Sequence, residues 1–167
     1  MHCLDFSPEV RRLLLANGWS AERRVELDPV IRHLAESDHR LNDCARQFLE
    51  NMHGLTIRVW LTDVDCASWM TFDVRKMLTS HSWSLQLSSI FGLEVCPIGN
   101  CLNGNLYLAP DGQVVGDCRA CGHGYLWRSR SVNEELDSTF LKEEYTAPYE
   151  LVELDRNDRP ISRKMAP

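Results

Sequence analysis

The sequence lacks an apolar run long enough to cross a membrane, and it lacks a secretory signal pattern. No window approaches the roughly 18 uncharged apolar residues of a spanning helix. Residues 1–6 do not form a basic stretch followed by an apolar one. From both absences we expect a soluble protein of the cytoplasm with no membrane partner.

The sequence also lacks the short motifs that mark common active sites. It contains no HEXXH zinc motif, no P-loop, no GxGxxG fingerprint and no GxSxG nucleophile turn. Its six histidines are dispersed, and no local signature pairs one of them with a cysteine. Asp63 and Asp65 follow a predicted strand, where two acids are more typical of a turn than of a catalytic pair. We therefore expect a protein that is not an enzyme.

Positive charge is not in excess, whereas a direct nucleic-acid binder is usually basic. The formal net charge is −6, and residues 133–158 hold nine acidic and two basic side chains, a local net charge of −7. The acidity is therefore concentrated in one segment. Most such runs only face water, so a solvated helix and tail is the simplest interpretation.

The chain has the size and composition of one soluble globular domain. It has 167 residues, of which 44% are hydrophobic and 25% charged, enough for a core without disulfides or metals. Its seven cysteines are an odd number and are scattered, which favours free thiols in a reducing compartment.

Four of the cysteines have a spacing that approaches that of a structural zinc site. Cys96, Cys101, Cys118 and Cys121 form the pattern C-x4-C-x16-C-x2-C, with His123 as an optional further ligand. Cys96, however, lies inside an apolar predicted strand, so we favour ordinary free cysteines and no cofactor. The alternative is a small zinc-bearing enzyme or regulatory module that uses these four residues.

Helix start signals and strand patterns predict an α+β fold. Ser7-Pro8 predicts a helix over 8–16, Asp28-Pro29 predicts a second, and Asn42 predicts a third that ends at Gly54. A further helix is expected over 72–91, and Ser131 to Glu134 has the form of a capping box for a closing helix. Alternating or short apolar runs predict strands at 55–61, 93–98, 106–109, 113–117 and 125–127.

These elements predict N-terminal helices on one face of an antiparallel meander, with a closing C-terminal helix. We expect a single domain over residues 1–150 and a loose tail over 151–167. Because successive side chains of a strand point to opposite faces of the sheet, we expect Trp60, Tyr107 and one of Tyr125 or Trp127 on the face away from the helices. Aromatic side chains on an uncovered face are typical interface anchors, unless a later segment covers them.

A series of short motifs resembles the SUKH superfamily of bacterial immunity proteins. The resemblance covers roughly residues 5–145 and is closest to the branch with an early GW…R.V and a mid-chain FL…GL. The segments that carry it are Phe6-Ser7-Pro8-Glu9, Asn17-Gly18-Trp19, Arg23-Arg24-Val25, Phe48-Leu49, His53-Gly54-Leu55, Pro97-Ile98-Gly99 and Ala109 to Val114. His53 departs from the pattern, which often has two glycines here, and the cysteine cluster is not a feature of the family.

The resemblance implies an immunity protein, or antitoxin, that neutralises a cognate toxin of a polymorphic toxin system by stoichiometric binding. The toxin is expected to be a nuclease or deaminase, and a monomeric inhibitor is favoured. An acidic patch can be steered into the basic cleft of such a toxin. We therefore predict a toxin-binding site of two parts, aromatic anchors and an acidic rim: Trp60, Tyr107 and Trp127, with Glu134, Glu135 and Asp137.

Overall fold

A computed structural model gives the architecture of the chain. It describes residues 4–61, 66–77, 79–101, 104–118, 124–141 and 149–165, except for the side chains at 60, 61, 66 and 67. The helices are α1 (Pro8–Ala16), α2 (Asp28–Glu36), α3 (Asp43–Met52), α4 (His81–Phe91) and α5 (Val132–Phe140), with a 3-10 turn at Val74–Lys76. The strands are β1 (Thr56–Leu61), β2 (Cys66–Thr71), β3 (Cys96–Cys101), β4 (Gly104–Leu108), β5 (Val114–Cys118), β6 (Gly124–Ser129), β7 (Glu150–Leu154) and β8 (Pro160–Met165).

Side-chain caps begin four of the helices, three of them at the predicted residues. The side chains of Ser7, Asn42 and Ser131 each accept a hydrogen bond from a backbone N–H in the first turn, and Ser80 does the same for α4. Such a bond satisfies one of the donors that a helix start leaves unpaired. Gly54 follows α3 with φ 80°, a left-handed conformation that glycine adopts at little cost.

The eight strands form one antiparallel sheet in chain order, from β1 to β8. The predicted α+β fold with a meander is therefore confirmed. Paired residues share a face, so Leu106, Gly116 and Trp127 lie on one side of the sheet while Tyr107, Val115 and Arg128 lie on the other. Among the described residues, no helix is long and apolar enough to cross a membrane.

The N-terminal helices and α5 pack on the side that carries Trp127. The backbone N–H of Ser7 donates to the Asn133 side chain at 2.6 Å, which joins the start of α1 to α5. Asn42 donates to the carbonyl of Leu108 at 3.1 Å and fixes the start of α3 on β4. Phe48 and Leu49 of α3 are fully buried in the resulting core.

Helix α4 covers the opposite side of the sheet, over its second half. Trp83 donates from Nε1 to Asp117 on β5 at 2.6 Å. At the other end of α4, the guanidinium groups of Arg128 and Arg163 lie over the Phe91 ring. The middle of the sheet is therefore buried on both faces, and this second cover comes from residues 81–91.

Three parts of the chain differ from the sequence prediction. Strand β2 was not predicted, and the helix expected from residue 72 begins only at His81, after the 3-10 turn. The tail expected to be loose contains β7 and β8, which pair from Glu150 with Met165 to Leu154 with Pro160. Helix α5 is therefore followed by two further strands and does not close the fold.

Candidate protein-binding surfaces

The motif residues that carry the family resemblance meet in the core, where they hold the end of α3. Trp19 is 7% exposed and packs edge-on against Phe6, with ring centroids 5.8 Å apart. Arg23 donates to the backbone carbonyl of His53 at 2.6 Å, and Arg24 donates to the Asn51 side chain at 2.9 Å. The early GW…R.V motif and the FL…GL motif therefore form one structural unit that maintains the fold.

The predicted aromatic anchors do not form one exposed surface. Tyr107 is fully buried, and its hydroxyl contacts Thr79 at 2.7 Å and donates to Asp117 at 3.2 Å. Its assignment as an anchor is wrong, because α4 and the segment before it cover that face. Trp127 lies on the opposite face, half-buried and hydrogen-bonded to Glu135. Trp60 pairs with Ala67 in the register, and its side chain lies outside the described residues.

The predicted acidic rim is smaller than the sequence indicates. Glu135 is 5% exposed and accepts hydrogen bonds from Trp127 Nε1 at 3.1 Å and Ser129 Oγ at 2.6 Å. Burial raises the pKa of Glu135, and these bonds only partly oppose that shift. Glu135 therefore belongs to the interior, whereas Glu134 and Asp137 are half-exposed.

Other acids of the segment 133–158 are also used within the fold. Glu150 is 1% exposed and pairs with Arg128 and Arg163. Glu153 pairs with Lys164 at 3.0 Å, and Asp155 accepts backbone hydrogen bonds that shape the turn between β7 and β8. Glu143 and Glu144 lie outside the described residues. The local charge of −7 is therefore not a continuous acidic surface.

The structure separates the cysteines of the alternative zinc site. Cys96 and Cys101 stand at opposite ends of β3, roughly 15 Å apart by the rise of a strand, which is too far for one tetrahedral ion. Cys101 and Cys118 lie on either side of Gly104 in one row across three strands, and Cys121 lies outside the described residues. Burial raises the pKa of the Cys96 and Cys101 thiols to about 12, which disfavours the thiolate.

No other metal cluster replaces it in the part of the chain that the structure describes. There, no group of three or more His, Cys, Asp or Glu side chains is placed to hold an ion. The four-cysteine set was the observation behind the zinc-bearing alternative. Since Cys96 and Cys101 lie too far apart for one ion, the four residues cannot form that site together.

A groove of about 610 Å³ lies between the residues after α2, helix α4 and the segment 92–95 that follows it. At its base His39 is 8% exposed, and its Nε2 lies 2.9 Å from Ser84 Oγ. The His39 ring meets His81 edge-on, with centroids 5.7 Å apart. Burial lowers the pKa of His39, and His81 lowers it further. The neutral form of the His39 imidazole is therefore favoured, and its contacts join α4 to the N-terminal half.

Among the described residues, an open part of the sheet lies over β1 to β3, on the side away from α5. Here Arg58 and Trp69 are cross-strand partners, and Arg58 is exposed while Trp69 is half-buried. A depression of about 380 Å³ occupies this region. We call it the cationic face, and its lining residues are Thr56, Arg58, Trp69, Thr71, Lys76 and Asn100.

The cationic face was not found from the sequence, because β2 was not predicted. The segment Cys66–Thr71 (CASWMT) has no strict alternation of apolar and polar residues, so period two could not identify Trp69 as a surface aromatic. Once β2 is paired with β1, Trp69 stands opposite Arg58. The useful signal was the tryptophan itself, since large amphipathic aromatics are enriched at interfaces.

The fold and these surfaces define a small α+β protein that offers open surfaces for a macromolecular partner. Comparison with protein-family models matches residues 6–126 to the family described as SUKH-3 immunity protein. The chain belongs to the SUKH-3 immunity protein family, within the SUKH superfamily predicted from the motifs. No curated protein and no solved structure matches the sequence significantly.

Proposed function

We propose that this immunity protein acts in the cytoplasm by binding and neutralising one cognate toxin, in a stoichiometric complex and without catalysis. The toxin belongs to a polymorphic toxin system and is a nuclease or a deaminase. The observation that carries the proposal is the family match over most of the chain. An immunity protein of this family must recognise a toxin, so its function rests on a binding surface.

The chemistry of the interior supports binding over catalysis. The carboxylates of Asp117, Glu135 and Glu150 are each held by hydrogen-bond donors or cations inside the fold. The thiols of Cys96 and Cys101 have a pKa of about 12, so they are weak nucleophiles near neutral pH. The motif residues Trp19 and Arg23 stabilise the fold. What remains for function is the exposed surface.

The test is titration of the toxin encoded in the neighbouring reading frame with the purified full chain. We expect residual toxin activity to fall linearly and to reach its minimum at one equivalent, and a complex of one copy of each to co-elute in size-exclusion chromatography. An unrelated toxin of the same chemical class is the control and should keep its activity.

Two results would contradict the proposal. Loss of toxin activity at far below one equivalent would indicate an enzyme that modifies the toxin. Full toxin activity with several equivalents present, and no complex, would exclude neutralisation of that toxin by binding.

A further inference from the structure

We infer that the cationic face is the surface that contacts the toxin, and that it binds an acidic, carboxylate-bearing patch there. The inference rests on the proposed function and adds to it the site and the chemistry of the partner. The chain as a whole has a net charge of −6, so a local surface of the opposite sign is a distinct feature of the molecule.

The first argument is that, in the part of the chain that the structure describes, helix α4 covers the sheet beyond this region and not over it. The contacts of α4 lie on the second half of the sheet, at Asp117 of β5 and at Arg163 of β8. The 3-10 turn Val74–Lys76 borders the cationic face and adds Lys76 to its lining. The result is an accessible concave surface on strands β1 to β3.

The second argument is the composition of the lining. Among the described residues it contains the cations of Arg58 and Lys76, the indole of Trp69 and neutral polar groups, and it contains no carboxylate. The hydroxyls of Thr56 and Thr71 contact each other at 2.9 Å across β1 and β2. Tryptophan and arginine are both enriched among the residues that contribute most of the binding energy of protein interfaces.

The third argument is charge complementarity. Two cations beside a half-buried tryptophan favour a partner with carboxylates, since Arg binds a carboxylate through two parallel hydrogen bonds. On the toxin, a patch rich in carboxylates lies outside the cleft in which a nuclease or deaminase holds nucleic acid. The toxin would be bound at a second surface, and its active site would be blocked by the body of the immunity protein.

The test is the kinetics of toxin binding by the full chain and three variants. Trp69→Ala removes the aromatic anchor, and we expect dissociation to be about 30-fold faster, the effect of a 2 kcal/mol hot spot. Arg58→Glu reverses a cation, and we expect association at low salt to slow about 10-fold, with a smaller effect at high salt. Arg11→Glu, an exposed substitution on α1, is the matched control and should bind as the parent does.

A second measurement identifies the chemistry of the partner. A carbodiimide joins an amine to a carboxylate in direct contact, with loss of water, so treatment of the complex should link Lys76 to a toxin Asp or Glu. Mass spectrometry of the digested complex locates the link, and Lys76→Gln should abolish it. Thermal unfolding of each variant confirms that it retains the fold.

Several outcomes would overturn the inference while the proposed function stands. One is parental toxin binding by both Trp69→Ala and Arg58→Glu. Another is a slower association caused by Glu134→Lys on α5 and not by Arg58→Glu, which would place the contact on the acidic side.

A labelled single-stranded oligonucleotide bound by the parent and lost in Arg58→Glu would make the face a nucleic-acid site. A dimer in sedimentation that Arg58→Glu dissociates would make it a self-association surface. If the parent chain binds no toxin, the proposed function and the inference both fail.

Discussion

At the scale of single residues, buried carboxylates are the main polar feature of this protein. Asp117, Glu135 and Glu150 are at most 5% exposed, and each is surrounded by donors from neighbouring strands or helices. The cost of removing a carboxylate from water is offset only by such bonds. Two of the three lie in the segment of local charge −7, which is why counting charges along the sequence overestimated its acidic surface.

Glu135 gives the stability of the protein a definite dependence on pH. Burial raises its pKa in the folded state, so the folded protein binds a proton more readily than the unfolded chain does. Stability from this residue is fully present below the unfolded pKa, near 4.5, and is lost as pH rises through the folded pKa.

We therefore predict that Glu135→Gln gains free energy of unfolding relative to the parent as pH rises from 4 to 8. Urea unfolding of both proteins across this range measures it. A difference between the two that does not change with pH would contradict the raised pKa. Glu134→Gln, one residue earlier and half-exposed, is the matched control.

Trp19 is the residue whose role follows most directly from the sequence. It belongs to a motif of the family resemblance, and it is 7% exposed and packs on Phe6 in the core. We predict that Trp19→Ala lowers the free energy of unfolding by about 3–5 kcal/mol, the usual effect of truncating a buried large aromatic.

Chemical denaturation checks this value, with Trp69→Ala as the comparison because that tryptophan is only half-buried. A Trp19→Ala variant that is as stable as the parent would show that the indole is not part of the core. The motif would then have to be explained by binding.

At the scale of elements, helix α4 decides which parts of the sheet are accessible. Its place could not be predicted, since period two identifies two faces of a sheet without saying which segment covers the second. Trp83 of α4 reaches Asp117 of β5, which also accepts from the backbone and side chain of Asn105 and from Tyr107. One carboxylate therefore holds α4, β4 and β5 together.

We predict that Asp117→Ala lowers the free energy of unfolding by about 3 kcal/mol or more. The substitution leaves several buried donors without an acceptor, and each unpaired donor costs about 1–3 kcal/mol. Chemical denaturation measures the change, and Glu22→Ala, an exposed acid, should alter stability by no more than about 0.5 kcal/mol. A small effect at Asp117 would mean that water replaces its contacts.

The helices and strands that could be predicted are those with a clear local signal in the sequence, such as a capping residue or an alternation of apolar and polar residues. Helices α1, α3 and α5 have side-chain caps at the residues expected, whereas α2 begins at Asp28-Pro29 without a side-chain cap. Strand β7 was missed because its inward positions are Glu150, Val152 and Leu154. Because Glu150 is charged, the alternation of apolar and polar residues along β7 is not visible in the sequence. Its burial is explained by its ion pairs with Arg128 and Arg163.

At the scale of the whole molecule, the family match covers less than the folded unit. It ends at residue 126, inside β6, whereas the core continues into α5 and β7. Leu136, Val152 and Leu154 are at most 1% exposed. Their burial shows that the last third of the chain contributes to the same core as the helices of the first third.

We predict that residues 6–126 alone do not fold, while the full chain unfolds in one cooperative transition. The truncated chain lacks α5 and β7 and therefore exposes the core residues that they cover. The free energy lost by this exposure exceeds the net stability of a typical domain. Near-ultraviolet circular dichroism and thermal unfolding of both chains test this. A native-like spectrum with a cooperative transition from the truncated chain would contradict it.

The join between β2 and β3 has a consequence for the motions of the molecule. Among the residues that the structure describes, which omit 102 and 103, these strands pair from Met70 with Cys101 to Thr71 with Asn100, whereas β1 and β2 pair along their whole length. Sub-global opening occurs where few bonds must break. We therefore expect the β1–β2 hairpin to open as one unit at a lower free energy than the central strands. In native-state hydrogen exchange its amides would share one opening free energy, below that of β4 and β5, and a partner seated on Arg58 and Trp69 would slow their exchange together.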